Sequence, residues 1–157
     1  MCSYAVPIPG KDTMELCVKH FTELTAEELF RIYKLRVSVF VVEQKCAYQE
    51  VDDIDTQSYH MWLQDENGIQ AYMRILPKDG NEVSFGRVIA VKRHCGLGSE
   101  IVKSAVKFSK EKLNATRITL DAQTYARKLY ENIGFVQTGD EFPEDNIPHI
   151  PMTLEIR

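Results

Sequence analysis

Two glycines one residue apart, at the end of a β-branched run and the start of a helical pattern, are the residues whose spacing points most directly to chemistry. They sit in SFGRVIAVKRHCGLGSEIVKSAVKFSKEKL, Ser84 to Leu113. Gly96 and Gly98 let the backbone approach a ligand without a Cβ in the way. A helix opening at about Gly98 or Ser99 directs unpaired N–H groups and its positive dipole end at the same point, and Arg93 adds a local positive charge. A turn of this kind suits a phosphate. It is not a dinucleotide-binding turn, because Ile101 stands where the third glycine of Gly-x-Gly-x-x-Gly belongs. It is not a P-loop either, since Gly98 is followed by Ser99 and Glu100 instead of Lys and Ser/Thr.

The elements that must position this turn can be read from periodicity. Met14 to His20 alternates apolar and polar residues as a half-buried strand does. Thr22 or Thr25 caps a helix; Thr25 followed by Glu28 is a capping box, and the helical pattern runs to about Val37, after which VSVFVVEQ bends or restarts it. The acid-rich stretch KCAYQEVDDIDTQSYH reads as a long loop. His60 to Gln64 and Ile69 to Leu76 are strands joined by a turn over Asn67-Gly68. Glu82 to Val91 then completes an antiparallel meander ahead of the glycine turn. The helix after the turn puts Leu97, Ile101, Val102, Ala105, Phe108 and Leu113 on one side and its charges on the other. Arg117 to Leu120 reads as a strand, Thr124 to Asn132 as a helix stopped by Gly134, and Phe135 to Thr138 and Pro151 to Ile156 as closing strands. This order predicts an α/β layer architecture and not a doubly wound nucleotide fold.

The chain of 157 residues, 44% hydrophobic, is the size of one domain with a real core. We expect a flexible leader over residues 1–13, broken by Pro7, Pro9 and Gly10, and a single domain over 14–157. The net charge of -4 argues against a nucleic-acid partner. The four cysteines form no C-x-x-C pair and no Cys/His cluster at zinc spacing, so no metal is expected and the thiols read as reduced. No segment reaches the roughly 20 apolar residues of a membrane span, and MCSYAVPIPGKDT is no signal peptide. A cytoplasmic protein without membrane association is the expectation.

Three blocks carry a family resemblance. Arg93 to Gly98 fits the pattern Gln/Arg-x-x-Gly-x-Gly/Ala, and ARKLYENIGF, Ala126 to Phe135, is a helix that carries a tyrosine and ends in Gly-Phe. Both resemble the coenzyme A segments of the GNAT N-acetyltransferase superfamily. LRVSVFVVEQKCAYQEVDDID, Leu35 to Asp55, together with EDNIPHIPM, Glu144 to Met152, is similar to the ElaA-like branch of that superfamily. The likeness covers nearly the whole chain after Met14. It implies a GNAT fold: a mixed, mostly antiparallel sheet of six to seven strands flanked by about four helices. One departure stands out. Members usually carry glycine where this chain has His94, and a residue with a Cβ restricts the backbone there.

The resemblance further implies acetyl-CoA as cosubstrate and an amine-bearing small molecule or peptide as acceptor, joined in a ternary complex; a homodimer is left open. Pantetheine would run along the backbone of Val88, Ile89, Ala90 and Val91. The pyrophosphate would lie over Arg93, His94, Cys95, Gly96, Leu97, Gly98 and Ser99, with Cys95 a bystander thiol. Gln123 either hydrogen-bonds the pantetheine arm or faces solvent. Tyr130 falls on the position of the general acid that protonates the departing thiolate. An alkylamine acceptor is mostly protonated at pH 7, and holding it neutral costs about 4.6 kcal/mol unless a base removes the proton. Glu43, His60 and His149 are the candidate bases, in no fixed order. The acids from Glu50 to Asp55 either attract a cationic acceptor or form a solvated loop. The alternatives are a non-catalytic acyl-CoA-binding module of the same fold and an unliganded interaction domain.

Overall fold

The computed structural model describes residues 2–6 and 14–157. Among them one sheet holds nine strands: β1 (Cys2–Val6), β2 (Met14–His20), β3 (Tyr59–Asp65), β4 (Gly68–Pro77), β5 (Glu82–Ala90), β6 (Arg117–Gln123), β7 (Val136–Gln137), β8 (Phe142–Glu144) and β9 (Ile147–Glu155). Their order is β1-β2-β3-β4-β5-β6-β9-β7, with β8 paired to β9 alone. The pairs are antiparallel except β5 with β6, which is parallel. Three α-helices flank the sheet: α1 (Ala26–Arg36), α2 (Leu97–Lys112) and α3 (Arg127–Ile133).

The architecture is the mixed, mostly antiparallel α/β sheet that the sequence implies. The strands beyond the expected seven are β1 and β8. Of the expected leader, position 1 and residues 7–13 lie outside the described residues, and Cys2–Val6 is a strand paired with Met14–Val18. β8 forms a hairpin with β9 over Asp145 and Asn146, whose φ values of 49° and 63° are those of the tight turn that Asp and Asn favour. Pro143 and Pro148, which weaken any strand reading, stand directly opposite each other in it.

Local chemistry sets the helix ends. Thr25 Oγ1 accepts from the Glu28 N–H at 3.1 Å, and Glu28 Oε1 accepts from the Thr25 N–H at 2.9 Å, closing the capping box that starts α1. No separate helix follows at VSVFVVEQ: the chain runs on from α1 in the wider π geometry over Val37–Glu43. Gly134, at φ +119°, ends α3.

The alternation of the central strands fills two cores. Leu16, Val18, Met61, Leu63, Met73 and Ile75 pack with α2 residues Leu97, Ile101, Val102 and Ala105. Cys17, Trp62 and Tyr72, one position out of phase, pack with Ile32 of α1 and Phe40 of the π segment. Both faces of the middle strands are buried, and a cleft opens where two strands separate.

Candidate functional site

That separation lies between β5 and β6. They pair only over Glu82–Ser84 and Arg117–Thr119, the last couple being Ser84 with Thr119. Beyond it both strands continue, β5 to Ala90 and β6 to Gln123, without bonding to each other. A cleft of about 980 Å³ opens in the gap, lined among others by Val88, Ile89, Ala90, Gly96, Gly98, Ser99, Gln123 and Tyr130. The N–H of Val91 donates to the Gln70 carbonyl on the β4 side at 2.9 Å. Backbone groups alternate along a strand, so those of Ala90 and Val88 point the other way, into the gap. Val91 itself is turned out of the cleft lining and is 47% exposed.

The cleft ends at the start of α2. Gly96 precedes the helix at φ +80°, a conformation in which a Cβ is costly, although a Cβ built there meets nothing within 4 Å. The first helical bond runs from the Glu100 N–H to the Gly96 carbonyl at 3.0 Å, and the N–H groups of Leu97, Gly98 and Ser99 precede it. Gly98 is small for a different reason: a Cβ there lies 3.1 Å from Leu129 Cδ1, so α2 and α3 meet closely at this point. Cys95 packs against the α2-side core and does not line the cleft.

His94 adopts φ +60°, the left-handed conformation in which its Cβ is disfavoured. The side chain is exposed, and among the described residues no hydrogen bond or ion pair holds it. We expect His94→Gly to raise stability by about 0.5–1 kcal/mol in thermal denaturation. A loss would show that the imidazole makes a contact that outweighs the strain.

Tyr130 stands on α3, 6% exposed, with its ring edge-on to Phe135 at 5.8 Å, and lines the cleft. No hydrogen bond to its hydroxyl is found among the described residues. Burial first, and the neighbouring Tyr125 second, push its hydroxyl above the ordinary phenol range, so it stays protonated at neutral pH.

The three candidate bases are not brought together. His60 is fully buried in β3; its Nδ1 is 2.7 Å from the Tyr72 hydroxyl and its Nε2 3.0 Å from the Asp55 carbonyl. Burial holds it below the ordinary imidazole range, and it does not line the cleft. Both nitrogens are committed to the fold, and His60 stands apart from the cleft lining. Glu43 is 62% exposed, outside the cleft lining, and 3.7 Å from Arg93 Nη2 across the surface. Its charge is answered by a cation of the glycine turn. His149 does line the cleft. Its Nδ1 is 2.7 Å from the Ile147 carbonyl, which only accepts, so Nδ1 carries a proton and Nε2 is the nitrogen left open to the cleft side. Nε2 lies 3.5 Å from Glu144 Oε2, and the ring stacks on Phe142.

Gln123 also lines the cleft, but its Nε2 donates to Gln44 Oε1 at 3.1 Å and so links the end of β6 to the end of the π segment. Neither alternative offered by the sequence included this partner.

Of the acids from Glu50 to Asp55, Asp53 is exposed, but Glu50, Asp52 and Asp55 are not a solvated loop. Asp55 is fully buried and accepts from Arg36 Nη1 at 2.5 Å and Nη2 at 3.1 Å, and from Arg74 Nη1 at 3.0 Å. Asp52 is 2.8 Å from Arg74, and Glu50 is 3.0 Å from Arg36 Nε. Arg87 Nε lies 2.8 Å from Glu50 Oε2. That contact is an ion pair by distance, but the N–H is not aligned with the oxygen, and neither atom has a hydrogen bond. Three arginines thus neutralise three carboxylates, and Asp52, Arg74 and Arg87 of this network line the cleft. Burial alone would raise the Asp55 carboxyl; hydrogen bonding from Arg36 and the charges of Arg36 and Arg74 outweigh it and hold the group below its ordinary value.

Among the described residues no helix is long and apolar enough to cross a membrane, and no group of three or more His, Cys, Asp or Glu side chains is placed to hold a metal ion.

A mixed sheet that splays beside a parallel strand pair, with a helix N-terminus at the mouth of the gap, is the arrangement of the GNAT acyltransferase fold. The chain belongs to the GNAT acyltransferase family, in its ElaA-like branch: the model of the acetyltransferase (GNAT) domain matches residues 22–156. It is 41% identical over 147 residues to a UPF0039 protein of Schizosaccharomyces pombe, covering 91% of this chain and 98% of that one. It is 33% identical to the protein ElaA of Escherichia coli over 87% of this chain and 94% of the relative. The crystal structure of Escherichia coli ElaA superposes with a TM-score of 0.84, covering 90% of this chain and 99% of that one. An acyl-CoA N-acyltransferase from Pseudomonas aeruginosa is similar at TM-score 0.81 and 36% identity, over 88% of this chain and 97% of the other.

Proposed function

We propose that the protein transfers an acetyl group from acetyl-CoA to an amine acceptor, a small molecule or peptide, by direct attack within a ternary complex. The observation that carries this reading is a single cleft shared by three features. Those features are the unpaired β5 backbone at Val88 and Ala90, the free N–H groups of Leu97, Gly98 and Ser99, and the Tyr130 hydroxyl. The residues present fit a coenzyme: the helix end and Arg93 suit a pyrophosphate, Gly96 supplies the left-handed turn into the helix, and the space beside it is open. Bound there, acetyl-CoA supplies an activated thioester. The β5 amide groups in the gap are donors for a developing oxyanion.

Tyr130, kept protonated by burial, delivers a proton to the departing sulfur. His149 Nε2 is the base we favour for the ammonium proton of the acceptor, because it is the one candidate of the three in the cleft lining. Glu144 Oε2 lies 3.5 Å from that nitrogen. No covalent enzyme intermediate is required. The reading places the enzyme in the cytoplasm, in keeping with the free thiols of Cys46 and Cys95.

The test is calorimetric titration with CoA followed by thiol release from acetyl-CoA over a panel of amines, amino acids, polyamines and peptides. We expect CoA to bind, and Gly96→Val to weaken it about tenfold or more while the protein stays folded, because valine is strained at φ +80°. Parental affinity in Gly96→Val would remove the glycine turn from the site. CoA binding with no turnover on any acceptor class would favour the non-catalytic binding module.

A further inference from the structure

The ladder between β4 and β5 breaks at Arg87. Tyr72 faces Ile89 and Arg74 faces Gly86, so Arg87 and Val88 together oppose Met73. Arg87 takes φ +53°, the conformation that glycine usually supplies in such a bulge. Gly86, its neighbour, does not take a positive φ. An arginine is therefore held in a disfavoured state at the point where β5 leaves β6, three residues past the last couple at Ser84.

Its side chain accounts for the hold. Nε is 2.8 Å from Glu50 Oε2, Nη2 is 3.3 Å from the Glu50 carbonyl, and the guanidinium lies 4.8 Å from the centre of the Tyr48 ring. Glu50 is itself fixed from the far side, where Arg36 donates to its Oε1 at 3.0 Å and to its carbonyl at 2.7 Å. Arg36 is fully buried and clamped by Asp55. A continuous charged linkage thus runs from α1 through Arg36 and Glu50 to the bulge in β5. Glu50 Oε2 and Arg87 Nε, both buried, have no hydrogen bond to any described group and face each other at 2.8 Å, while Arg87 Nη2 also lies 3.5 Å from Asp52 Oδ2.

We propose that Glu50 is a positioning residue: by pairing with Arg87 it holds that residue left-handed, fixes the bulge, and so aims the Val88 and Ala90 backbone into the cleft. The inference rests on the CoA reading of that cleft. It is tested by titrating CoA into the wild type, Arg87→Ala, Arg87→Gly, Glu50→Gln and the double variant Glu50→Gln/Arg87→Gly, with the Tm of each measured alongside. Alanine and glycine delete the same side-chain contacts, but only glycine adopts φ +53° freely. Arg87→Ala and Glu50→Gln should each weaken CoA about tenfold, whereas Arg87→Gly stays within about threefold of the wild type. The double variant should bind as Arg87→Gly does, because Glu50 has nothing left to act through.

Equal affinities in Arg87→Ala and Arg87→Gly, tracking equal losses of Tm, would reduce the network to a purely stabilising one and overturn the proposal. Should Arg87→Ala fail to fold, Glu50→Gln against the double variant decides: recovery of binding by glycine supports the proposal, and no recovery overturns it. A wild type that takes up no CoA defeats the reading of the cleft itself; a wild type that binds while Arg87→Ala binds equally defeats only the role of Glu50.

Discussion

Tyr130→Phe is expected to lower kcat by about 10²-fold or more while leaving CoA affinity within about twofold. The ring would keep its place against Phe135, because phenylalanine retains every contact but the hydroxyl. What disappears is the one proton donor that α3 presents to the cleft from a buried ring. The hydroxyl makes no described hydrogen bond, so its loss leaves no partner stranded and little stability is at stake. Steady-state kinetics with thiol detection, paired with a CoA titration, separates the two effects. An unchanged kcat would assign protonation of the thiolate to solvent and leave Tyr130 a packing residue.

The second large effect is on stability. Arg36→Ala is expected to cost about 3–5 kcal/mol, because it removes one partner of a fully buried ion pair and leaves Asp55 and Glu50 uncompensated. For a chain of this size that corresponds to a fall in Tm of about 10 °C, readable by circular dichroism. The same network fixes the acid limb. The Asp55 carboxyl is depressed in the folded state, so its contribution is fully present above the ordinary value of 3.8 and is lost as pH falls through the lower folded value. Asp55→Asn should lower stability at pH 7 and flatten the pH dependence below that value. An Arg36→Ala protein with the wild-type Tm would mean that water reaches and solvates the carboxylates.

Local signals made much of this fold legible. The capping box at Thr25 and Glu28 and the strand-to-helix glycines each act over a few residues and stand where the pattern puts them. The hairpin turn falls one residue earlier than Asn67-Gly68, on Glu66 and Asn67, with Gly68 left-handed at the start of β4. What was not legible depends on contacts far apart in sequence. The acids after Tyr48 read as solvated because their cations, Arg36, Arg74 and Arg87, are 14 to 37 positions away from Glu50, Asp52 or Asp55. His60 looked like a base for the same reason: Tyr72, which occupies its Nδ1, lies across a strand pair. Gln44 carried no signal at all until Gln123 was found opposite it. Arg87 did have one, since Gly86 inside a strand pattern is the usual mark of a bulge, although the strained residue turned out to be its neighbour. The glycine turn was readable as an anion site, yet whether its first residue tolerates a side chain needed the φ of His94.

The extra residue at Arg87 also resets parity along β5. Val83 and Phe85 belong to the core on the α2 side, and in a regular strand residues at odd numbers would stay on that side. Ile89, four residues after Phe85, instead belongs to the core on the α1 side, while Val88 and Ala90 pack on the α2 side. The apolar pattern therefore demands one surplus residue between Phe85 and Val88 whatever the charges do, and the ion pairs select which residue is surplus. Opening the cleft and feeding two cores from one strand are the same event, so a single-residue deletion there would exchange the faces of everything that follows it.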